Sequence, residues 1–279
     1  MTLDRPNSRR NFLRGATAAL ALAHVAGRLH ASASATGTGT GTDPALRYLE
    51  AVTPATGTPY LAPSALHPAY SHAVYVNAAT SGPHAQKMWV IARAGDGWSL
   101  LASDDSHWSG REMPDGGPGY SWPVSTGRKY PGDSRSGPTP LGIFNVDDRR
   151  HRPGWGSPGM YNALYIDLHY SSGRASGVAI HGTTSGQYRK LGRVDSHGCV
   201  RMRQSNADLI WNLIHPDGVR GAASPLWGEI PRYFTSAVGT GMTPRRGYVR
   251  DGSLLRDASG ALLTREGYRM VFVFFWDAA

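Results

Sequence analysis

The sequence predicts a mainly β fold with one short helix, and three observations carry that expectation. From His72 onward, short runs of strand-forming residues recur: Ala73 to Asn77, Lys87 to Arg93, Trp98 to Ala102, Trp122 to Thr126, Ile143 to Val146, Ala163 to Leu168 and Val178 to Ile180. Clusters of Gly, Pro, Asp and Ser separate these runs, as hairpins and meanders require. Met270 to Trp276 is a continuous apolar run bounded by charges, too short to cross a bilayer, and reads as a strand buried on both faces.

The helix is expected over Asn206 to Ile214, where Leu209, Ile210, Leu213 and Ile214 recur at helical spacing. Ser205 or Asn206 supplies a cap, and Pro216 with Asp217-Gly218 ends the element. Val219 to Tyr268 is loop-rich, with Asp251-Gly252 and Ser259-Gly260 suggesting hairpins. Upstream, the Gly/Thr alternation from Thr36 to Thr42 has no apolar residue to bury, and Pro44 to Pro68 is rich in proline and alanine. Residues 36–68 are therefore expected to form a flexible linker with an irregular lead-in.

At 279 residues and 40% hydrophobic content the chain suits one large domain or two small ones. The formal charge of +9 favours an anionic partner, but the basic residues are scattered and single out no nucleic acid. Ser8-Arg9-Arg10-Asn11-Phe12-Leu13-Arg14 precedes a modest apolar run from Gly15 to Ala26, with small residues at Ala31-Ser32-Ala33 and Ala33-Ser34-Ala35. This order resembles a twin-arginine export signal over residues 1–35, and it places the mature chain in the periplasm or cell wall. His24, Arg28 and His30 interrupt the apolar run, so no stable membrane insertion is expected.

Cys199 is the only cysteine; His197 lies two positions before it and His181 eighteen. The thiolate is the nucleophilic form of cysteine, so a thiol needs a base nearby, and these two imidazoles are the candidates. Ser196-His197-Gly198-Cys199 has the ingredients of a tight turn that presents sulfur and backbone N–H groups together. Val178-Ala179-Ile180 leads straight into His181 and sets it at the end of a strand. A zinc site built from His169, His181, His197 and Cys199 fits no compact ligand spacing, so no metal is expected. Gly127 to Ser134 has Asp133 where a phosphate loop needs lysine, so no nucleotide cofactor is expected.

His181-Gly182-Thr183 followed by Ser196-His197-Gly198-Cys199-Val200-Arg201-Met202 resembles the L,D-transpeptidase catalytic domain, the YkuD-like family. Val124-Ser125-Thr126-Gly127 and Thr139-Pro140-Leu141-Gly142-Ile143-Phe144 extend the resemblance over about His72 to Ile214. The resemblance implies a β-sandwich or mixed sheet, a short helix after the cysteine turn, and peptidoglycan stem peptides as partner. It makes Cys199 the nucleophile, His181 its base, and the Gly182 carbonyl the group that orients the base. Gly198 and Cys199 would offer oxyanion N–H groups, and His197 would shape the site. Ser196, Thr183 and Arg201 would meet substrate, Arg201 either supporting the turn or facing a substrate carboxylate.

The implied reaction is a two-step acyl transfer through a thioester. Hydrolysis of that thioester would instead make the protein an L,D-carboxypeptidase or a cross-link-cleaving amidase, and an inactive domain of the same fold would simply bind wall peptides. The catalytic domain is expected over 69–279, as a monomer, with an insertion at 220–268 and a displaced closing strand at 270–276. Arg149, Arg150, His151 and Arg152 form a basic run read as a solvated loop, with contact to an anionic wall polymer as the sharper option. Trp155 and Tyr161 are aromatic residues that either line the cleft or fill the core.

Overall fold

The structure, a computed structural model, describes residues 43–54, 59–101, 121–156, 159–170, 173–233 and 253–279. The export signal, the Gly/Thr spacer and the Asp251-Gly252 turn lie outside these residues.

The strands are β1 (His72–Asn77), β2 (Lys87–Ala94), β3 (Gly97–Leu101), β4 (Trp122–Pro123), β5 (Gly142–Gly156), β6 (Met160–Ile166), β7 (Ala179–Gly182) and β8 (Val200–Met202), followed by β9 (Trp227–Pro231), β10 (Thr264–Tyr268) and β11 (Met270–Phe275). Among the described residues, one mixed sheet runs in the order β3-β2-β1-β11-β5-β6-β7-β8, with β4 attached to β2. β1 pairs with β11 in parallel and β7 with β8 in parallel; the other pairs are antiparallel. β9 and β10 form a separate antiparallel pair.

The middle of the sheet is apolar on both faces. Along β11, Met270, Phe272 and Phe274 enter one core, while Val271, Val273 and Phe275 enter the other. β1 divides the same way, Val74 and Val76 against Ala73 and Tyr75. A run of strand formers without polar alternation is what a doubly covered strand requires. The first core also takes Val146 from β5, Ile166 from β6, and Ile180, Val200 and Met202 from the strands on either side of the cysteine turn. Helix α2 (Gln204–Ile214) closes it with Ala207, Ile210, Trp211 and Ile214.

Three sequence expectations change. Pro44 to Pro68 is not irregular throughout, because Pro44–Ala51 forms helix α1. Asp43 caps it by accepting the Ala45 N–H at 2.8 Å, Pro44 opens its first turn, and Ala45 and Leu49 are buried in the second core. That Asp-Pro start is a legible helix signal. Second, α2 begins at Gln204 behind Arg203, two residues before the expected start, so Ser205 and Asn206 lie inside the helix rather than at its cap.

Third, β5 continues ten residues past Val146, so the basic run is strand rather than solvated loop. It pairs with β6 through two register shifts, which erase the simple alternation that would have revealed it.

Phe272 is fully buried in the central strand, between Val74 of β1 and Phe144 of β5 in register. Phe272→Ala is expected to lower stability by about 3–5 kcal/mol, measured by denaturant unfolding. A loss below ~1 kcal/mol would contradict the central placement.

Candidate active site

The parallel register of β7 and β8 aligns Ile180 with Val200 and His181 with Arg201. Ile180, Val200 and Met202 face the core under α2. Because side chains alternate along a strand, Cys199 and His181 share the opposite face. Cys199 packs there against Met160, Ala163, Tyr165 and Ala179. With strands about 4.8 Å apart and about 3.3 Å of rise per residue, the two Cα atoms lie roughly 8 Å apart, a span that an imidazole and a thiol can close. Both residues line a cleft of about 1200 Å³, and the Cys199 thiol donates to the Gly177 carbonyl at 3.6 Å.

His181 is buried, and its Nδ1 contacts the Gly182 carbonyl at 2.8 Å. A carbonyl only accepts, so Nδ1 carries the proton and Nε2 of the neutral ring keeps its lone pair. Burial pulls the imidazole pKa down to about 4; the Gly182 carbonyl partly opposes this and the Arg201 cation adds to it. The ring is therefore neutral near pH 7. A Cβ at Gly182 would stand 3.1 Å from both Gln204 Cα and the Tyr161 ring, so a larger residue there would have to push one of them aside.

The cysteine turn is held from beneath. Gly198 has φ of 137°, a backbone region that favours glycine. A Cβ on Gly127 would lie 2.4 Å from Gly198 Cα and 2.3 Å from the Gly137 oxygen, so backbone packs directly on backbone. Thr139 joins these segments: its hydroxyl accepts the Gly127 N–H at 2.8 Å and donates to the Gly198 carbonyl at 3.0 Å. The Ser196 N–H bonds the Thr126 carbonyl at 2.9 Å, and buried Gln86 braces Thr126 from the other side, its Oε1 taking the Thr126 N–H at 2.8 Å.

The expected site residues divide. Cys199, His181, Thr183, Ser196, His197 and Arg201 all border the cleft. Ser196, expected to meet substrate, is fully buried; its hydroxyl accepts the Gly198 N–H at 3.0 Å and donates to the Cys199 carbonyl. Its task is to shape the turn. The same bond occupies the Gly198 N–H, which corrects the expectation that this group stands ready for an oxyanion.

His197 lies at the rim, stacked on Tyr130 at 4.6 Å with Asp133 at 3.5 Å from its Nε2. Arg201 donates to the Asp195 carbonyl at 3.0 Å, which ties the cleft to the turn. Thr183 is buried, its N–H on the Met202 carbonyl at 2.9 Å.

Several neighbours escaped the sequence reading. Thr139 belongs to a motif that carries the resemblance with no role of its own, Tyr165 is one strand residue among others, and Arg149, Arg150 and Arg152 fall in the run expected to be solvated. Tyr165 had a signal in the period-two alternation that sets Ala163 and Tyr165 opposite Leu164 and Ile166. His151 also borders the cleft, and its Nδ1 meets His215 Nε2 at 2.5 Å behind it. Burial lowers their pKa values to about 3 and about 4, with His215 adding to the effect on His151 and Arg220 to that on His215.

Trp155 is half exposed beside Tyr161, and neither borders the cleft. Among the described residues, the group close enough to share a metal ion is Asp147, Asp167 and His169, away from the Cys199 turn. Those carboxylates already hold Arg150, Arg232 and Arg265.

Residues 109–241, a little under half of the chain, match the model of the YkuD family, described as the L,D-transpeptidase catalytic domain. Among solved structures the chain is similar to an L,D-transpeptidase from Mycobacterium tuberculosis H37Rv, at 20% identity over 51% of this chain and 53% of that one, with a TM-score of 0.33. It is also similar to an L,D-transpeptidase from Mycobacterium smegmatis, at 18% identity over 52% and 54%, TM-score 0.29. Bd1075 from Bdellovibrio bacteriovorus matches at 16% identity over 70% and 50%, TM-score 0.32. The chain thus spans about half the length of the solved structures it matches. Among curated proteins no relative matches.

Thr139→Val removes the hydroxyl between Gly127 and Gly198 while keeping the volume. A loss of about 1–3 kcal/mol is expected in chemical unfolding, because a buried N–H is left unpaired. A variant as stable as the parent would refute the bracing role.

The depressed histidines give a second expectation. Their folded pKa values lie below the ordinary 6.5, so as pH falls the unfolded chain takes up protons before the folded one. Their contribution to stability is full above about pH 6.5 and is lost as pH falls toward about 4 for His181 and His215 and about 3 for His151. Melting temperature against pH should fall through that window, and His215→Phe should flatten the fall.

Proposed function

We propose that this protein is an exported L,D-transpeptidase that remodels or cross-links peptidoglycan through Cys199 and His181. The observation that carries the reading is the β7–β8 register, which sets a neutral, Nδ1-protonated imidazole and the cysteine on one wall of one cleft. The family-model match over 109–241 includes both residues and supports the same reading. The catalytic domain extends over 69–279, with 220–268 as an insertion, behind a twin-arginine-type signal at 1–35 that directs the chain to the periplasm or cell wall.

In this reading His181 Nε2 takes the Cys199 proton, and the sulfur attacks the carbonyl of the third, L-centred residue of a tetrapeptide stem. The C–N bond to the terminal D-residue breaks, His181 returns the proton to the departing nitrogen, and a thioester remains. An amine from a second stem then attacks the thioester, His181 again managing the proton, and the sulfur is released. Gly182 keeps the imidazole in the working tautomer. The Cys199 N–H serves the oxyanion, while the Gly198 N–H stays with Ser196 Oγ. His197, Thr183 and Arg201 border the bound stem.

Incubating the full chain with purified tetrapeptide stems and reading the products by mass spectrometry tests this. New cross-linked dimers are expected, shortened stems alone would mean hydrolysis, and no change would sink the activity. Cys199→Ala should fold normally and lose about a thousandfold or more in turnover. His181→Gln should lose about 10²–10⁴-fold.

A further inference from the structure

The charge around the cleft is uneven. Six of its bordering residues are cations, Arg135, Arg149, Arg150, Arg152, Lys190 and Arg201, against the anions Asp133 and Asp195. Of these carboxylates, Asp195 already holds cations of its own. Asp195 takes Lys190 at 2.6 Å, Arg128 at 3.5 Å and Arg201 at 3.7 Å, and Asp133 faces His197 at 3.5 Å. Three of the six cations, Arg149, Arg150 and Arg152, stand on β5, where Asp147 offsets Arg150.

That wall meets the reactive residue through one ring. Tyr165 packs against Cys199, and the Arg150 guanidinium lies over the Tyr165 ring with Cζ 4.9 Å from its centroid. Arg152 borders the same cleft, its charge close enough to act on the Tyr165 hydroxyl. Arg150 is itself steadied by Asp147, its Nε 2.6 Å from the carboxylate, so its plane is fixed before any ligand arrives. One guanidinium thus lies over, and a second stands beside, an aromatic ring of the cluster that Cys199 joins, both carried on a strand rather than a loop.

We propose that Arg150 and Arg152, grouped at Tyr165, bind the terminal carboxylate of the residue that leaves when Cys199 is acylated. The inference rests on the transpeptidase reading above and adds the group that fixes which bond meets the sulfur. An α-carboxylate one residue beyond the attacked carbonyl lies about 3.8 Å of chain away, within reach of groups standing one ring from the thiol. Guanidinium matches carboxylate in shape and charge, and a preset donor loses little freedom on binding. A stem with one more residue would place a neutral amide where this pair expects an anion. The arginines therefore read where the stem ends, and Arg149, exposed at the cleft border, adds attraction at longer range.

The test compares two synthetic tetrapeptide stems that differ only at the last group, free carboxylate against carboxamide. Binding is measured by calorimetry on the full-length Cys199→Ala chain, which removes turnover from the result, and D-residue release is measured on the unaltered chain. The free acid should bind about tenfold or more tightly than the amide. Arg152→Gln in the Cys199→Ala background should bring that ratio toward one, and Arg152→Lys should restore much of it. The ratio should also shrink as salt is raised.

Equal binding of the two stems, or a ratio untouched by Arg152→Gln, would overturn the proposal whatever the enzyme turns over. Inorganic phosphate competing with the free-acid and amide stems alike would assign the wall to a phosphate-bearing polymer and overturn it as well. A clear binding preference with no D-residue release would instead leave this subsite standing and count against the transpeptidase reading.

Discussion

The cysteine turn depends on a hydroxyl that works in two directions. Thr139 Oγ1 accepts from Gly127 and donates to Gly198, and that exchange lets two stretches of bare backbone rest against each other. Everything above follows from this contact. Gly198 can hold a φ of 137° because the chain beneath it is fixed, and Ser196 can turn inward because the Thr126 carbonyl holds its N–H. Strain of this kind persists where the surroundings over-determine the backbone, and here a second tier, Gln86 on Thr126, supports the first.

Electrostatics divide the cleft between two tasks. Burial keeps His181 neutral and its Nδ1 bound to Gly182, so the ring faces the cleft with a lone pair on Nε2 rather than as a cation. Arg201, level with His181 in the register, presses the imidazole further toward neutrality while its guanidinium anchors the Asp195 carbonyl. The arginines of β5 stand a ring away and supply three of the six cations that border the cleft. A neutral imidazole and a charged wall can share one cleft because strand β7 buries the first and strand β5 exposes the second.

Local chemistry in this chain was legible where it was written in consecutive residues. The His181 strand end, the cysteine turn, most strands and the apolar run at Met270 could be read directly, since a period of two or a tight motif survives in one dimension. Contacts joining distant segments left no such trace. Thr139 showed no role of its own because its partners lie 12 and 59 positions away. The basic run looked solvated because the register shifts in the β5–β6 pair break its alternation. Ser196 looked like a substrate contact because a hydroxyl beside a lone cysteine reads the same in sequence whether it faces out or in. Helix α1 is the exception: its Asp-Pro start was present in the sequence and was outweighed by the composition around it.

The placement of β11 bears on how the molecule comes to exist. Its neighbours in the sheet are β1 and β5, so the middle of the sheet joins residue 72 to residue 270. Closing a loop of that length precedes any reward from the strands it unites, which makes folding slow and leaves apolar edges bare in the meantime. Until residue 275 has been made, β1 and β5 have no partner between them, and the chain carries two unpaired strand edges flanking an open seam. The apolar edges of β1 and β5 are therefore the last surfaces of the sheet to be covered as the chain folds.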